Sequence, residues 1–136
     1  MLKYELLTTD TERAKGFYGE VLGWKTQPFG NNGYQMWTGA QGPLGGVMLL
    51  PEAAKKMGAP PHWMAQIEVA NLDETLAKAR ALGAKVYVEP EHVPTVGRFA
   101  VMGDPQGAVF AAFELEQPMA PHDGAQHGEF CWRELV

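Results

Sequence analysis

The chain has 136 residues, a formal net charge of −5 and one cysteine, Cys131. This length suits one compact domain, or two small halves that share a core. The negative charge argues against a nucleic-acid partner, and a single thiol excludes an internal disulfide. Because the sequence has neither a signal-like segment nor an apolar run long enough to span a bilayer, we expect a soluble, cytoplasmic protein without membrane contact.

The first helix is indicated by its cap, its apolar spacing and its stop. Thr9 or Asp10 can cap it, and Glu12 completes a capping box if Thr9 is the cap. Apolar residues at helical spacing predict one buried face, made of Ala14, Phe17, Tyr18, Val21 and Leu22. Gly23 can then adopt the left-handed conformation that ends a helix.

Strands are predicted after this helix at residues 24–29, 34–38 and 46–50. The Gly and Asn residues at 30–33 predict a hairpin turn between the first two strands. Residues 51–61 contain three prolines and one glycine, which indicates a linker between the two halves of the chain.

The second half repeats the order of the first. A predicted strand at 62–69 leads to a helix at 71–82, which Asn71 caps and Gly83 ends. Its buried stripe is predicted to consist of Leu72, Leu76 and Ala79. Further strands are predicted at 85–88, 98–102 and 108–114.

Both halves therefore have the order β-α-β-β-β, which predicts an α+β fold built from one supersecondary unit used twice. The expected boundaries are repeat one at 1–50, the linker at 51–61 and repeat two at 62–116. One such unit cannot close a core alone, because its helix covers only one face of its sheet. Two units would form curved mixed sheets around a trough, with the helices on the outer faces, and that trough is the natural ligand site.

Two short elements carry a family resemblance. One is Phe-Tyr-x-x-x-Leu-Gly at residues 17–23, and the other is Asp-Pro-x-Gly at residues 104–107. With these elements the chain, over about residues 1–115, resembles the vicinal oxygen chelate superfamily, which includes glyoxalase I, the bleomycin-resistance proteins and the extradiol dioxygenases. The resemblance implies the fold described above. It also implies a divalent metal in the trough, held by His, Gln or Glu from the first and last strands of each half.

Carried onto this sequence one at a time, those ligand positions fall on Lys3, Met64, Ala111, and Gly46 or Met48. None of these residues is a ligand for a hard or borderline metal ion. We therefore expect the scaffold of the family without its metal. No dinucleotide or phosphate-loop motif is present either, so no cofactor is expected.

Strand alternation predicts which side chains line the trough, because residues two apart face the same side of a sheet. The predicted ligand-binding set is Glu5, Trp37, Met48, His62, Met64, Gln66 and Phe113, with Arg98 near the rim. Glu5 is a candidate general base or hydrogen-bond acceptor, or else a carboxylate that pairs with Lys3 or Arg98 to stabilise the fold. His62 is a candidate acid/base partner of Glu5, or else a histidine that hydrogen-bonds a backbone carbonyl.

These features predict a metal-independent small-molecule binding protein of the glyoxalase/bleomycin-resistance type, with a flat organic or aromatic ligand. One alternative is a metal-free enzyme of isomerase, lyase or cyclase type that uses Glu5 and His62 as acid and base. Another is a non-catalytic regulatory or partner module. A homodimer is expected, because family members of this length commonly pair and because pairing protects exposed sheet edges.

The C-terminal residues resemble the start of a further repeat. Residues 117–128 indicate a connector. The segment 129–136 aligns with the first strand, so that Glu134 takes the place of Glu5. We therefore predict that residues 129–135 form a ninth strand, on a sheet edge of the same subunit or of a partner.

Overall fold

The computed structural model describes residues 2–31, 33–118, 127–131 and 134, and within them the chain forms eight strands and three helices. In chain order these are β1 (Leu2–Thr8), α1 (Thr11–Leu22), β2 (Lys25–Pro28), β3 (Gln35–Gly39), β4 (Gly42–Leu49), α2 (Glu52–Lys56), β5 (His62–Glu68), α3 (Leu72–Ala81), β6 (Lys85–Val93), β7 (Gly97–Gly103) and β8 (Val109–Leu115). The predicted α+β class is confirmed. The short helix α2, in the predicted linker, is an addition. None of the helices in this described part is long and apolar enough to cross a membrane.

The chain divides into two compact units. The N-terminal unit comprises residues 4–63 together with the described residues of the C-terminal segment, 127–131 and 134. The C-terminal unit comprises residues 2–3 and 64–118. The chain thus passes from one unit to the other inside β1 and β5, whereas the sequence predicted a division in the linker.

In the N-terminal unit the strand order is β2-β3-β4-β1. β2 and β3 form the predicted antiparallel hairpin, β3 pairs with β4 antiparallel, and β1 pairs with β4 parallel. Helix α1 covers one face of this sheet and begins at Asp10, whose carboxylate accepts a hydrogen bond from the Arg13 N–H at 2.9 Å. It ends at Gly23, whose φ of 71° is the left-handed conformation expected there. The core beneath it consists of Leu6, Trp24, Trp37, Leu44 and Val47.

Helix α1 buries less of its apolar face than the sequence predicts. Ala14 and Tyr18 pack against the core, and the Tyr18 hydroxyl accepts a hydrogen bond from Trp63 Nε1 at 3.1 Å. The remaining members of the predicted face are exposed: Phe17 (59%), Val21 (60%) and Leu22 (39%). The line from Ala14 to Tyr18 is one helical turn long and faces the sheet, so residues beside that line turn toward solvent.

In the C-terminal unit the strand order is β5-β8-β7-β6, with β5 parallel to β8 and the other pairs antiparallel. Helix α3 covers one face with Leu72 and Leu76, as predicted, against Ala100, Met102 and Ala112. Asn71 caps this helix, because its side-chain oxygen accepts the Glu74 N–H at 3.0 Å. Strand β6 extends well beyond the predicted range of 85–88.

The described part of the C-terminal segment is not in a strand. Its Phe130 ring instead packs against Tyr4, Trp24 and Trp63, with ring centroids 4.4, 5.5 and 5.4 Å apart. The indole N–H of Trp24 also donates a hydrogen bond to the Gly128 carbonyl. Side-chain packing therefore holds the described part of this segment, whereas the sequence predicts backbone pairing. The remaining positions of the predicted ninth strand lie outside the described residues.

Candidate functional site

The sheet of the N-terminal unit has one face that α1 does not cover, which we call its helix-free face. Glu5 of β1 pairs in register with Gly46 of β4, and Gly46 pairs with Met36 of β3. Their chain neighbours Leu6, Val47 and Trp37 belong to the core beneath α1. Because side chains alternate along a strand, Glu5, Met36 and Met48 lie on the opposite, helix-free face.

Glu5 is buried on this face, with 6% of its surface exposed, and its partner there is Tyr34. The Tyr34 hydroxyl donates a hydrogen bond to the Glu5 carboxylate. A Cβ atom at Gly46 would overlap that hydroxyl and would lie 3.1 Å from Glu5 Oε1, so the two groups meet directly above Gly46. Burial, and then the negative charge and hydrogen bond of Glu5, raise the pKa of Tyr34 far above its ordinary value. The phenol therefore keeps its proton and acts as a donor.

Tyr34 is not among the site residues predicted from the sequence, although the chain carries a signal for it. Gly45 and Gly46 lie side by side within β4. A glycine inside a strand often marks a place where another group approaches the backbone closely. Here the groups that approach Gly46 are the Tyr34 ring and the Glu5 carboxylate.

Trp37, predicted as a trough residue, lies in the core instead. It is fully buried beneath α1, with its ring centroid 5.6 Å from that of Tyr18 and 5.5 Å from that of Trp24. Neighbouring residues of a strand face opposite sides, so only one of Met36 and Trp37 can share the face of Glu5. The larger apolar ring is the one that fills the core, and we remove Trp37 from the candidate site.

His62 takes the structural alternative that its position in the sequence left open. Its Nδ1 atom lies 2.7 Å from the Pro60 carbonyl oxygen, at the entrance of β5. That bond fixes the ring against its own chain. One donor to Glu5 is the Tyr34 hydroxyl.

The sheet of the C-terminal unit also has a helix-free face, opposite α3. Gln66 of β5 pairs in register with Ala111 of β8, and alternation places Met64 and Phe113 on the same side. The Phe113 ring stacks on that of Phe99 in β7, with centroids 5.9 Å apart and planes only 14° from parallel. Met64, Gln66 and Phe113 therefore share one face, which carries a pair of stacked rings.

Arg98 lies on the other side of this sheet, which corrects its predicted place at the rim of the site. Its guanidinium donates to Asp73 at 2.9 Å and to Glu114 at 3.1 Å. Glu114 also accepts the Leu72 N–H, at 2.7 Å. The bonds to Asp73 and then Glu114 raise the pKa of Arg98, while the Leu72 N–H and then Arg98 lower the pKa of Glu114. Arg98 of β7 thus links the start of α3 to β8 through its bonds to Asp73 and Glu114.

The positions that the family resemblance assigns to metal ligands do not fit a divalent ion. Lys3 offers an amine whose pKa is lowered by burial, Met64 a buried thioether, and Ala111 no donor atom. The space beside Gly46 is taken by the Tyr34 hydroxyl. Across residues 2–31, 33–118, 127–131 and 134, no group of three or more His, Cys, Asp and Glu side chains could hold a metal ion.

Residues 1–112 match the sequence model of the Glyoxalase/Bleomycin resistance protein/Dioxygenase superfamily. The chain belongs to this superfamily. It is 39% identical over 114 residues to "Putative glyoxylase CFP32" of Mycobacterium tuberculosis (strain CDC 1551 / Oshkosh), a match that covers 81% of this chain and 42% of that protein. It is 35% identical over 124 residues to the anthracycline biosynthesis protein DauV of Streptomyces sp. (strain C5), covering 89% of this chain and 44% of that protein. The chain therefore spans less than half the length of these curated relatives.

Solved structures share the fold. The crystal structure of methylmalonyl-CoA epimerase from Mycobacterium tuberculosis matches with a TM-score of 0.59 and 19% identity, over 85% of this chain and 88% of that chain. At this identity the likeness establishes the fold of the superfamily, and the fold predicted from the sequence is confirmed.

Proposed function

We propose that this chain binds a flat organic or aromatic small molecule on the helix-free face of its C-terminal unit, without a metal ion. The observation that carries the proposal is the Phe99–Phe113 pair, whose near-parallel rings lie on the helix-free face of the C-terminal unit. Such a pair offers a flat apolar surface on which another ring gains by stacking. Gln66 on the same face supplies an amide that can orient a polar substituent.

Two further observations support this ligand class. DauV, a relative at 35% identity, is named for anthracycline biosynthesis, and anthracyclines are fused aromatic ring systems. The metal-ligand positions carry an amine, a thioether and a methyl group, which argues against metal-dependent binding. The superfamily hosts several chemistries, so the ligand class is argued here from the side chains and not from the fold.

A metal-independent enzyme is the second candidate, and the observation that favours it is the Glu5–Tyr34 pair. A carboxylate and a phenol joined by a hydrogen bond in apolar surroundings can accept and donate a proton in an isomerase- or lyase-type reaction. If compounds bind but none of them is turned over, the binding function is favoured. Turnover that is lost in Glu5→Gln would favour the enzyme.

The experiment is a titration of the protein with fused-ring aromatic compounds, first acridine and anthraquinone-2-sulfonate, by calorimetry in buffer that contains EDTA. We expect binding in EDTA, and we expect Phe113→Ala to weaken it about tenfold through the lost stacking. Phe17→Ala is the matched control, since Phe17 is exposed on α1, and it should bind as wild type does. Binding that requires an added divalent ion, or that is unchanged in Phe113→Ala, would contradict the proposal.

Assembly and location also belong to the proposal. We propose that the chain forms a homodimer, because pairing protects exposed sheet edges. Light scattering at micromolar protein concentration tests this, and a monomeric mass would contradict it. A cytoplasmic location fits the single cysteine and is tested by cell fractionation.

A further inference from the structure

We propose that Glu91 makes the helix-free face of the C-terminal unit select flat ligands that carry a positive charge. This inference rests on the proposed binding function and deepens it, because it names the charge of the ligand and the residue that recognises it. Glu91 is not among the site residues predicted from the sequence.

Strand pairing places Glu91 beside the two phenyl rings. Glu91 of β6 pairs in register with Phe99 of β7, and Phe99 pairs with Phe113 of β8. Register partners point to the same side of a sheet, and neighbouring strands lie about 5 Å apart. A flat ligand that stacks on Phe99 therefore has the Glu91 carboxylate one strand spacing away. Both rings are only half-buried and Glu91 is exposed, so a ligand can reach all three side chains.

The neighbours of Glu91 along β6 face the other way. His92, the next residue, pairs in register with Arg98, on the side of the sheet that α3 covers. Glu89 also turns to that side, because it accepts a hydrogen bond from Arg80 of α3 at 2.5 Å. Two residues so close in a regular strand would share one face, and a register shift just before Glu91 is what separates them.

The carboxylates on the α3 side are already matched with cations of the protein. The two clearest pairs are Glu89 with Arg80 and Glu114 with Arg98. Glu91 takes part in no such ion pair within the described residues. Its negative charge therefore remains available to a ligand on the helix-free face.

The other charged groups of this face lie away from Glu91. Lys85 is six residues earlier in β6, about 20 Å along the strand, and is held over a tyrosine ring. Lys3 belongs to this unit but lies in β1, four strands from β6 in the sheet order, which is about 19 Å. Glu68, at the far end of the row of Phe99 and Phe113, is also acidic and has contacts of its own. Because charges are screened over about 8 Å at physiological ionic strength, Glu91 sets the field beside Phe99.

The experiment compares two probes with the same fused rings, titrated by calorimetry into the full chain at neutral pH. Acridine is uncharged there, whereas 9-aminoacridine is cationic. We expect the wild-type protein to bind 9-aminoacridine at least about tenfold more tightly at low salt, and this ratio to fall as salt is added. A net charge of −5 attracts any cation, and aromatic rings also attract cations, so the variants must separate these effects from that of Glu91.

Glu91→Gln should lower the ratio of the two affinities about fivefold, the effect of one nearby charge at a protein surface, and Glu91→Lys should lower it further. Glu89→Gln is the matched control. It changes the net charge by the same amount and lies in the same strand, but Glu89 faces α3. The ratio in this control should stay close to that of the wild type.

The outcomes separate this inference from the proposed function. If Glu91→Gln and Glu89→Gln lower the ratio equally, or if the wild type binds both probes with the same affinity, recognition by Glu91 is overturned while the binding function stands. A ratio that is unchanged in Glu91→Lys overturns it as well. If neither probe binds, nor any other fused-ring compound, the proposed function and this inference both fail.

Discussion

Replacing Gly46 with alanine tests the arrangement of the Glu5–Tyr34 pair most directly. The added methyl group would overlap the Tyr34 hydroxyl and would lie 3.1 Å from Glu5 Oε1. Its backbone conformation is not the obstacle, because Gly46 is not among the glycines with a positive φ. The expected cost therefore comes from the displaced Tyr34 ring and from the lost hydrogen bond between Tyr34 and Glu5.

The magnitude follows from those two effects. Overpacking a well-filled site costs about 1–3 kcal/mol, and losing a hydrogen bond to a charged group costs about 1.5–3 kcal/mol. Because a ring that moves aside relieves part of the clash, we expect about 3 kcal/mol in total for Gly46→Ala. For a chain of this length that lowers the melting temperature by about 10 °C.

The assay is thermal unfolding followed by circular dichroism, with Gly16→Ala as the control. Gly16 lies within α1 and nothing comes within 4 Å of the place where its Cβ would be, so alanine there should be neutral or should stabilise by about 0.5–1 kcal/mol. If Gly46→Ala melts within about 2 °C of the wild type, Tyr34 does not occupy that space and the reasoning is refuted.

Three further predictions concern packing and capping within each unit. The Leu72 N–H and then Arg98 hold the pKa of Glu114 below its ordinary value of 4.5. The stability that this carboxylate supplies is therefore present above pH 4.5 and is lost as the pH falls through its lower folded pKa. Glu114→Gln should flatten the loss of stability below about pH 4.5, and an unchanged acid-unfolding curve would contradict this. Phe130→Ala should cost about 2 kcal/mol and shift tryptophan emission to longer wavelength, because the ring leaves Trp24 and its neighbours; an unchanged spectrum would mean that the segment is not held there. Asn71→Ala should cost about 1 kcal/mol through the lost cap of α3, measured by urea unfolding, and a loss no larger than that of the exposed-turn variant Asn31→Ala would exclude the cap as its cause.

The fold could be predicted from the sequence because its signals are local. Caps, stops and strand alternation are properties of a few neighbouring residues, and they correctly predicted α1, α3 and the hairpin of β2 and β3. Local signals could not predict which side of α1 is exposed. Helical spacing groups Phe17 and Val21 with Tyr18, but which part of that apolar surface meets the sheet depends on tertiary contacts such as the bond from Trp63 to Tyr18.

The candidate site could be predicted from the sequence only in part. Alternation placed Glu5, Gln66 and Phe113 on the helix-free faces, because their strands are regular. It could not decide between Met36 and Trp37, which are neighbours, and a register shift between Trp37 and Thr38 further weakens any count along that strand. The partner of Glu5 was also hidden, since Tyr34 lies far from it in the sequence and only the topology brings them together.

Position 46 connects the metal-ligand positions of the family with the Glu5–Tyr34 pair. The family resemblance allows a metal ligand at Gly46 or Met48, and a His or Glu side chain at 46 would need the space that the Tyr34 hydroxyl occupies. A metal ligand at this position and the Glu5–Tyr34 pair are therefore mutually exclusive. A glycine here does not simply remove a ligand, because it also admits a phenol that orients a buried carboxylate.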